Sequence, residues 1–182
     1  MIKINNKLIL SYNHRPKIIA EISGNHNGSK SLCIKHILSA KKNGADLVKI
    51  QTYEPQDITF NNVKKYFQLK KGIWKNLDLW NLYKKACTPY KWHKDLFKIA
   101  RDNNIEIFST PFSLRAVDFL EKQNVKLYKI ASCEITDLSL VDRIGQTKKP
   151  VIMSTGLASL NEIQRAYKVI KKYHNNIIIL HC

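Results

Sequence analysis

Tyr128-Lys129-Ile130-Ala131-Ser132-Cys133-Glu134-Ile135-Thr136 reads as a buried strand that ends in polar groups. Leu127, Tyr128, Ile130 and Ala131 are apolar or aromatic, yet Lys129 interrupts them, and Ser132 and Glu134 close the run. A buried ammonium without a partner is strongly disfavoured unless it gives up its proton. Lys129 therefore requires an anion, from the protein or from a ligand. The same pattern recurs outward along the chain. An apolar run at 17–23 contains Glu21, one at 45–51 contains Lys49, and one at 106–108 leads into Ser109-Thr110-Pro111-Phe112. Another at 150–154 leads into Ser154-Thr155-Gly156, and 176–181 is a further apolar strand.

Helical periodicity fills the gaps. Ser29 or Ser31 caps a helix whose face is Cys33, Ile34, Ile37 and Leu38, with Gly44 as its stop. Helices are predicted at about 91–103 (Trp92, Leu96, Ile99, Ala100), 113–122 (Ala116, Val117, Leu120), 137–144 and 159–173, the last with a Ser159/Glu162 capping box. Residues 52–90 form a long connection with one short helix marked by Leu79, Leu82, Tyr83 and Ala86. Long loops in compact domains are usually functional or mobile. Residues 2–11 alternate as a small hairpin turning at Asn5-Asn6.

Strands separated by helices make right-handed crossovers and a parallel sheet. No GxGxxG or GxxxxGK[ST] follows any strand, which disfavours the dinucleotide- and nucleotide-binding folds. Polar residues at strand end after strand end point instead to an α/β fold of the TIM-type (β/α) barrel class, with its site at the C-terminal rim. A full barrel has eight strands and about 250 residues. About six of the eight βα units are legible, so the expectation is an incomplete barrel. Residues 1–16 are expected to form the N-terminal hairpin and 17–182 a truncated barrel domain, a fragment expected to be poorly soluble and inactive alone.

At 182 residues and 44% hydrophobic content, the chain has enough apolar material for a domain core. Its net charge is +17, but the lysines are dispersed rather than clustered with stacking aromatics. That argues for a solvated basic surface and against a nucleic-acid partner, with a modest gain in capturing anions. No run is long enough to span a bilayer and the N-terminus lacks a signal-peptide pattern, so no membrane partner and a cytoplasmic location are expected. The four cysteines are scattered without a CxxC pair, against a disulfide framework or zinc site.

Alternation along strands places Ile19, Glu21 and Ser23 on one face, Leu47, Lys49 and Gln51 on one face, Lys129 with Ala131, and Ile152 with Ser154. If these faces point inward, Glu21, Lys49, Lys129 and Ser154 meet at one mouth. Two ammonium groups and a hydroxyl suit a multiply charged anion such as phosphate. Glu21 adds a carboxylate able to orient or activate water or a hydroxyl. Ser132 and Glu134 join only if the strand bends or ends near residue 131. Competing readings stay open: a structural Lys49–Glu21 ion pair, a Lys129–Glu134 pair, Thr110 merely completing a turn, Ser154-Thr155-Gly156 merely a loop, and His26 merely a hydrogen-bonded loop residue.

Five motifs carry a resemblance. Residues Ile18 to Gly28, Val48-Lys49-Ile50-Gln51-Thr52, Phe108-Ser109-Thr110-Pro111-Phe112, Tyr128 to Glu134 and Ser154-Thr155-Gly156 resemble the nonulosonic (sialic) acid synthases, from about residue 17 to the last residue. Glu21-Ile22-Ser23-Gly24, Leu79-Trp80-Asn81-Leu82-Tyr83 followed by Thr88-Pro89-Tyr90-Lys91-Trp92-His93, and Ile130-Ala131-Ser132-Cys133-Glu134-Ile135-Thr136-Asp137 resemble the branch that makes pseudaminic acid. Sialic acid synthases more often have glycine where Cys133 stands. The resemblance implies condensation of phosphoenolpyruvate with 2,4-diacetamido-2,4,6-trideoxy-altrose and release of phosphate by C–O cleavage. The alternatives are a sialic or legionaminic acid synthase using another amino sugar, and an inactive fragment. It further implies that Lys129, Thr110, Ser132 and Ser154 hold the phosphate and Lys49 the carboxylate. Glu21 would sit beside the aldehyde and attacking water, and Glu134 would orient water or substrate. The family uses a divalent metal, Mg²⁺ or Mn²⁺, whose two histidine ligands come from later strands. His26 and His181 do not match them, so no metal ligand is assigned in this chain. Full-length homologues are expected to be homodimers with a C-terminal antifreeze-like domain.

Overall fold

Six apolar strands, each separated from the next by at least one helix, line up parallel in chain order. They are β3 Ile19–Glu21, β4 Leu47–Thr52, β5 Glu106–Pro111, β6 Tyr128–Ile130, β7 Val151–Ser154 and β8 Ile177–Leu180. The computed structural model describes residues 1–5, 8–11, 13–61, 67–72, 74–75 and 77–182. Between the strands run α1 Lys30–Lys42, α2 Leu79–Ala86, α3 Tyr90–Asp102, α4 Leu114–Lys122, α5 Leu138–Gln146 and α6 Leu160–Lys171. Together they form a curled half-barrel of the TIM type.

Side-chain caps fix where most of these helices begin. Ser29, Ser113 and Asp137 accept from backbone N–H groups of the first turns of α1, α4 and α5. Ser159 and Glu162 form the predicted reciprocal capping box of α6. Each cap satisfies a donor that has no partner within the helix.

The period-2 pattern splits the sheet into two faces. Val48, Ile50, Ile107, Tyr128, Ile130, Val151 and Met153 point to the helices and join Ile37, Leu96, Leu120 and Ile144 in the main core. The alternate residues Leu47, Phe108, Leu127 and Ile152 form a second cluster on the inner face, closed by Ile4 and Leu8. Ile4 and Leu8 flank the turn between β1 Ile2–Lys3 and β2 Ile9–Leu10, which pair antiparallel. The predicted Asn5-Asn6 turn includes Asn6, which lies outside the described residues. Asn5 also donates to the Glu106 carboxylate at 2.7 Å, tying this segment to the start of β5.

Two differences from the sequence reading bear on the strand ends. β5 continues past Phe108 to Pro111, because Ser109, Thr110 and Pro111 stay in register with Ile50, Gln51 and Thr52 of β4. β6 stops at Ile130, before the polar groups that close the quoted run, and Ser132–Glu134 turns into a short 3-10 helix. Among the described residues, no helix is long and apolar enough to cross a membrane.

Candidate active site at the strand ends

Above the inner apolar layer, the same parity sets a polar layer at the C-terminal strand ends. Leu47 is followed two residues on by Lys49, Phe108 by Thr110, Leu127 by Lys129 and Ile152 by Ser154. Parallel register aligns Glu21 with Lys49 and Gln51 with Thr110. Lys49 is 8% exposed, Thr110 1% and Ser154 4%. Functional groups this far from water are held in place by the strands.

Glu21 and Lys49 form an ion pair. The other carboxylate oxygen of Glu21 accepts from the Ser23 N–H at 2.8 Å and the Ser23 hydroxyl at 2.9 Å. Ser23 adopts the left-handed backbone region, φ 47°, to fold back in this way. The structural ion pair weighed for Lys49 is therefore present, and Lys49 also donates to the Thr110 hydroxyl at 3.4 Å.

Lys129 differs. Its ammonium donates to the Ser154 hydroxyl at 2.6 Å. Among the described residues no carboxylate lies within ion-pairing distance of it, so the pairing with Glu134 weighed from the sequence does not form. Burial, then the nearby positive charge of Lys49, holds its pKa below the usual lysine value. Two cations are thus gathered at one rim, one of them without a carboxylate.

The break in β6 at Ile130 removes the parity objection to Ser132. The following turn carries its hydroxyl to the β7 loop, where it accepts from the Gly156 N–H at 3.2 Å. A Cβ at Gly156 would come within 3.1 Å of the Cys182 Cβ and 3.4 Å of the Ser132 Oγ, so a larger residue fits this crossing only if Cys182 gives way by a few tenths of an ångström. Cys182 had no role in the sequence reading. Its thiol pKa is pushed down by the Thr155 backbone, then the Ser154 hydroxyl, and also by Lys129. Only tertiary folding reveals that proximity.

Glu134 stands apart from the cations. It is half-buried, and burial raises its carboxyl pKa, with the Cys133 side chain opposing and Asp137 adding to the shift. Tyr83 on α2 lies near enough that Cys133 and Glu134 both act on its phenol. His26 takes the bland role, accepting from the Gly28 N–H at 3.1 Å and packing edge-on against Trp92.

Behind the rim, on the helix side, Thr52 bonds His93 at 2.8 Å and Ser109 at 2.6 Å. This buried network fixes the ends of β4 and β5 against α3. A cavity of about 750 Å³ lies toward the other end of the sheet, but its polar lining is largely paired internally. Arg15 bonds Asp46, Lys41 the Asn104 carbonyl, Lys126 the Asn124 side chain and Asn5 Glu106. It reads as a structural seam. Among the described residues, no three His, Cys, Asp or Glu side chains converge on a metal-sized cluster.

Residues 36–182 match the NeuB family. The chain belongs to the NeuB family. Pseudaminic acid synthase from Helicobacter pylori is 42% identical over 168 residues, covering 92% of this chain and 49% of that protein. N,N'-diacetyllegionaminic acid synthase from Campylobacter jejuni is 39% identical over 169 residues, covering 91% and 50%. The chain spans about half the length of the curated relatives it matches. The crystal structure of an N-acetylneuraminic acid synthetase from Leptospira borgpetersenii, in complex with citrate, superposes with a TM-score of 0.80 at 30% identity, covering 96% of this chain and 58% of that one.

Proposed function

We propose that this NeuB-family chain carries the phosphoenolpyruvate-binding side of a pseudaminic acid synthase-type active site. The observation that supports this most is Lys129: a half-buried ammonium beside Lys49, bonded to a hydroxyl and, among the described residues, to no carboxylate. Repulsion between the two lysines is relieved when a multiply charged anion enters between them.

In this reading Lys129, Ser154, Thr110 and Ser132 hold the phosphate, and Lys49 turns from Glu21 toward the substrate carboxylate. The C3 carbon of the enol attacks the aldehyde carbon of 2,4-diacetamido-2,4,6-trideoxy-altrose, forming the new C–C bond and leaving positive charge at C2. Water adds at C2, and the C2–O bond to phosphate then breaks. Glu21, fixed by Ser23, accepts a proton from the incoming water and passes it to the former aldehyde oxygen, which becomes a hydroxyl; the second water proton leaves with the phosphate as the C2 ketone forms, and Glu134 orients the sugar. Preorganised charges of this kind stabilise developing charge without reorganisation.

The identity to a legionaminic acid synthase, close to that of the pseudaminic acid enzyme, favours a second reading in which another amino sugar is condensed. Calorimetric titration of phosphoenolpyruvate into the chain tests the shared core. Lys129→Ala is expected to weaken binding tenfold or more, and the wild-type affinity to fall as salt rises. Equal affinity in both proteins would reject this assignment. Competition among a panel of acetamido-sugar aldehydes ranks the two sugars.

A further inference from the structure

The rim divides into two chemically different halves. Lys49, Lys129, Thr110 and Ser154 make one half cationic. Glu134 lies in the other half, and among the described residues it makes no ion pair. At the same C-terminal rim, between the loop after β3 and the end of β4, stands α2, a helix with no buried residue of its own. This helix is nonetheless held firmly in place. Ala86 lies so close to the loop after β3 that a Cβ on Gly24 would meet its Cβ at 3.0 Å. On the same helix, the Tyr83 ring stands edge-on to Tyr53, centroids 6.0 Å apart, and Tyr53 meets Phe112 at 5.3 Å. Tyr53 itself is buried, which gives Tyr83 a fixed backing.

A half-buried carboxylate with no cation nearby repels anions and accepts from neutral N–H and O–H donors. Aromatic rings beside it offer surface for methyl and ring C–H groups. A phosphorylated acid is disfavoured there; a neutral, acetamido-bearing sugar fits both features.

Resting on the proposed function, we infer that Tyr83 is a sugar-binding residue, its ring packing on the acetamido-sugar substrate whose donors Glu134 receives. This makes α2 the element that selects the sugar, while the lysines select the enol phosphate.

The test separates the two halves. Phosphoenolpyruvate and 2,4-diacetamido-2,4,6-trideoxy-altrose are titrated separately into wild type, Tyr83→Ala and Tyr83→Phe, the sugar with phosphoenolpyruvate saturating. Tyr83→Ala is expected to weaken the sugar tenfold or more and leave phosphoenolpyruvate within twofold, which also shows that the variant is folded. Tyr83→Phe, which keeps the ring, is expected to lose two- to fivefold. Sugar binding to wild type should also perturb tyrosine absorbance, and Tyr83→Phe should reduce that signal. Unchanged sugar affinity in Tyr83→Ala, or phosphoenolpyruvate binding without sugar binding in wild type, overturns this inference alone. Absence of phosphoenolpyruvate binding in wild type overturns the proposed function and the inference together.

Discussion

Lys129 shows how a binding site can oppose the stability of the fold that carries it. Its pKa is lowered, by burial first and by Lys49 second. The folded state therefore binds this proton less tightly than the unfolded chain does. The sign follows: Lys129 weakens the fold at neutral pH, and stability recovers as pH rises through the window just below the ordinary lysine value. Lys129→Met keeps the stem and removes the charge. It is expected to abolish phosphoenolpyruvate binding while raising the thermal midpoint, by on the order of 2–4 °C for each ~1 kcal/mol of relieved repulsion. Calorimetric melting of the two proteins without ligand, near pH 7, checks this; a midpoint several degrees lower would mean that Lys129 is a structural group. The need of Lys129 for an anion was legible in the sequence, because an ammonium set between Tyr128 and Ile130 in an apolar strand stays charged at low cost only beside negative charge. Its lack of a carboxylate was not, since Glu134, only five residues on, was an obvious partner until the turn at Ser132 carried it away.

At the scale of elements, short-range rules located the helices well. Caps are local: Ser29, Ser113 and Ser159 each accept from a backbone N–H three residues on. Strand ends depend on the neighbouring strand. β5 reaches Pro111 because β4 continues alongside it, and no pattern within 106–111 says so. Tyr83 was legible as a helical residue, but its packing against Tyr53 at the end of β4 is a long-range fact. The seam between α3 and the sheet carries its own prediction. His93 is buried, bonded to Thr52, and pushed down to about 4 by burial. Its unfolded value is near 6.5. The unfolded chain therefore binds more protons between these values, and stability is lost as pH falls from about 6.5 toward 4. The loss attributable to His93 is roughly 3 kcal/mol at most, at 1.36 kcal/mol per pKa unit. His26 and His174, also held down mainly by burial, act with the same sign. Denaturant titrations at pH 7 and pH 5 should show a smaller difference in His93→Gln than in wild type. An equal difference would place the titration elsewhere.

Over the whole molecule, sheet geometry and net charge act against each other. Among the described residues, β3 and β8 each pair with a single neighbour in the six-stranded order, so each has one edge with no strand paired to it. Ile18, Ile19 and Ile179, in or beside those edges, are 59%, 38% and 50% exposed. Unprotected apolar edges template pairing with another chain. A net charge of +17 opposes that encounter, because every approach brings like charge together. Screening decides between them: the Debye length falls from about 10 Å at 0.1 M salt to about 3 Å at 1 M. The isolated chain is therefore expected to stay dispersed at low ionic strength and to associate as salt rises, the reverse of a complex held by opposite charges. Light scattering across a salt series measures this directly. Ile179→Lys places a charge on the β8 edge without touching the rim lysines, and should move the onset of association to higher salt while leaving phosphoenolpyruvate affinity within twofold. Association that weakens with salt, or an onset unchanged by Ile179→Lys, would mean that the basic surface itself, rather than the strand edge, brings the chains together.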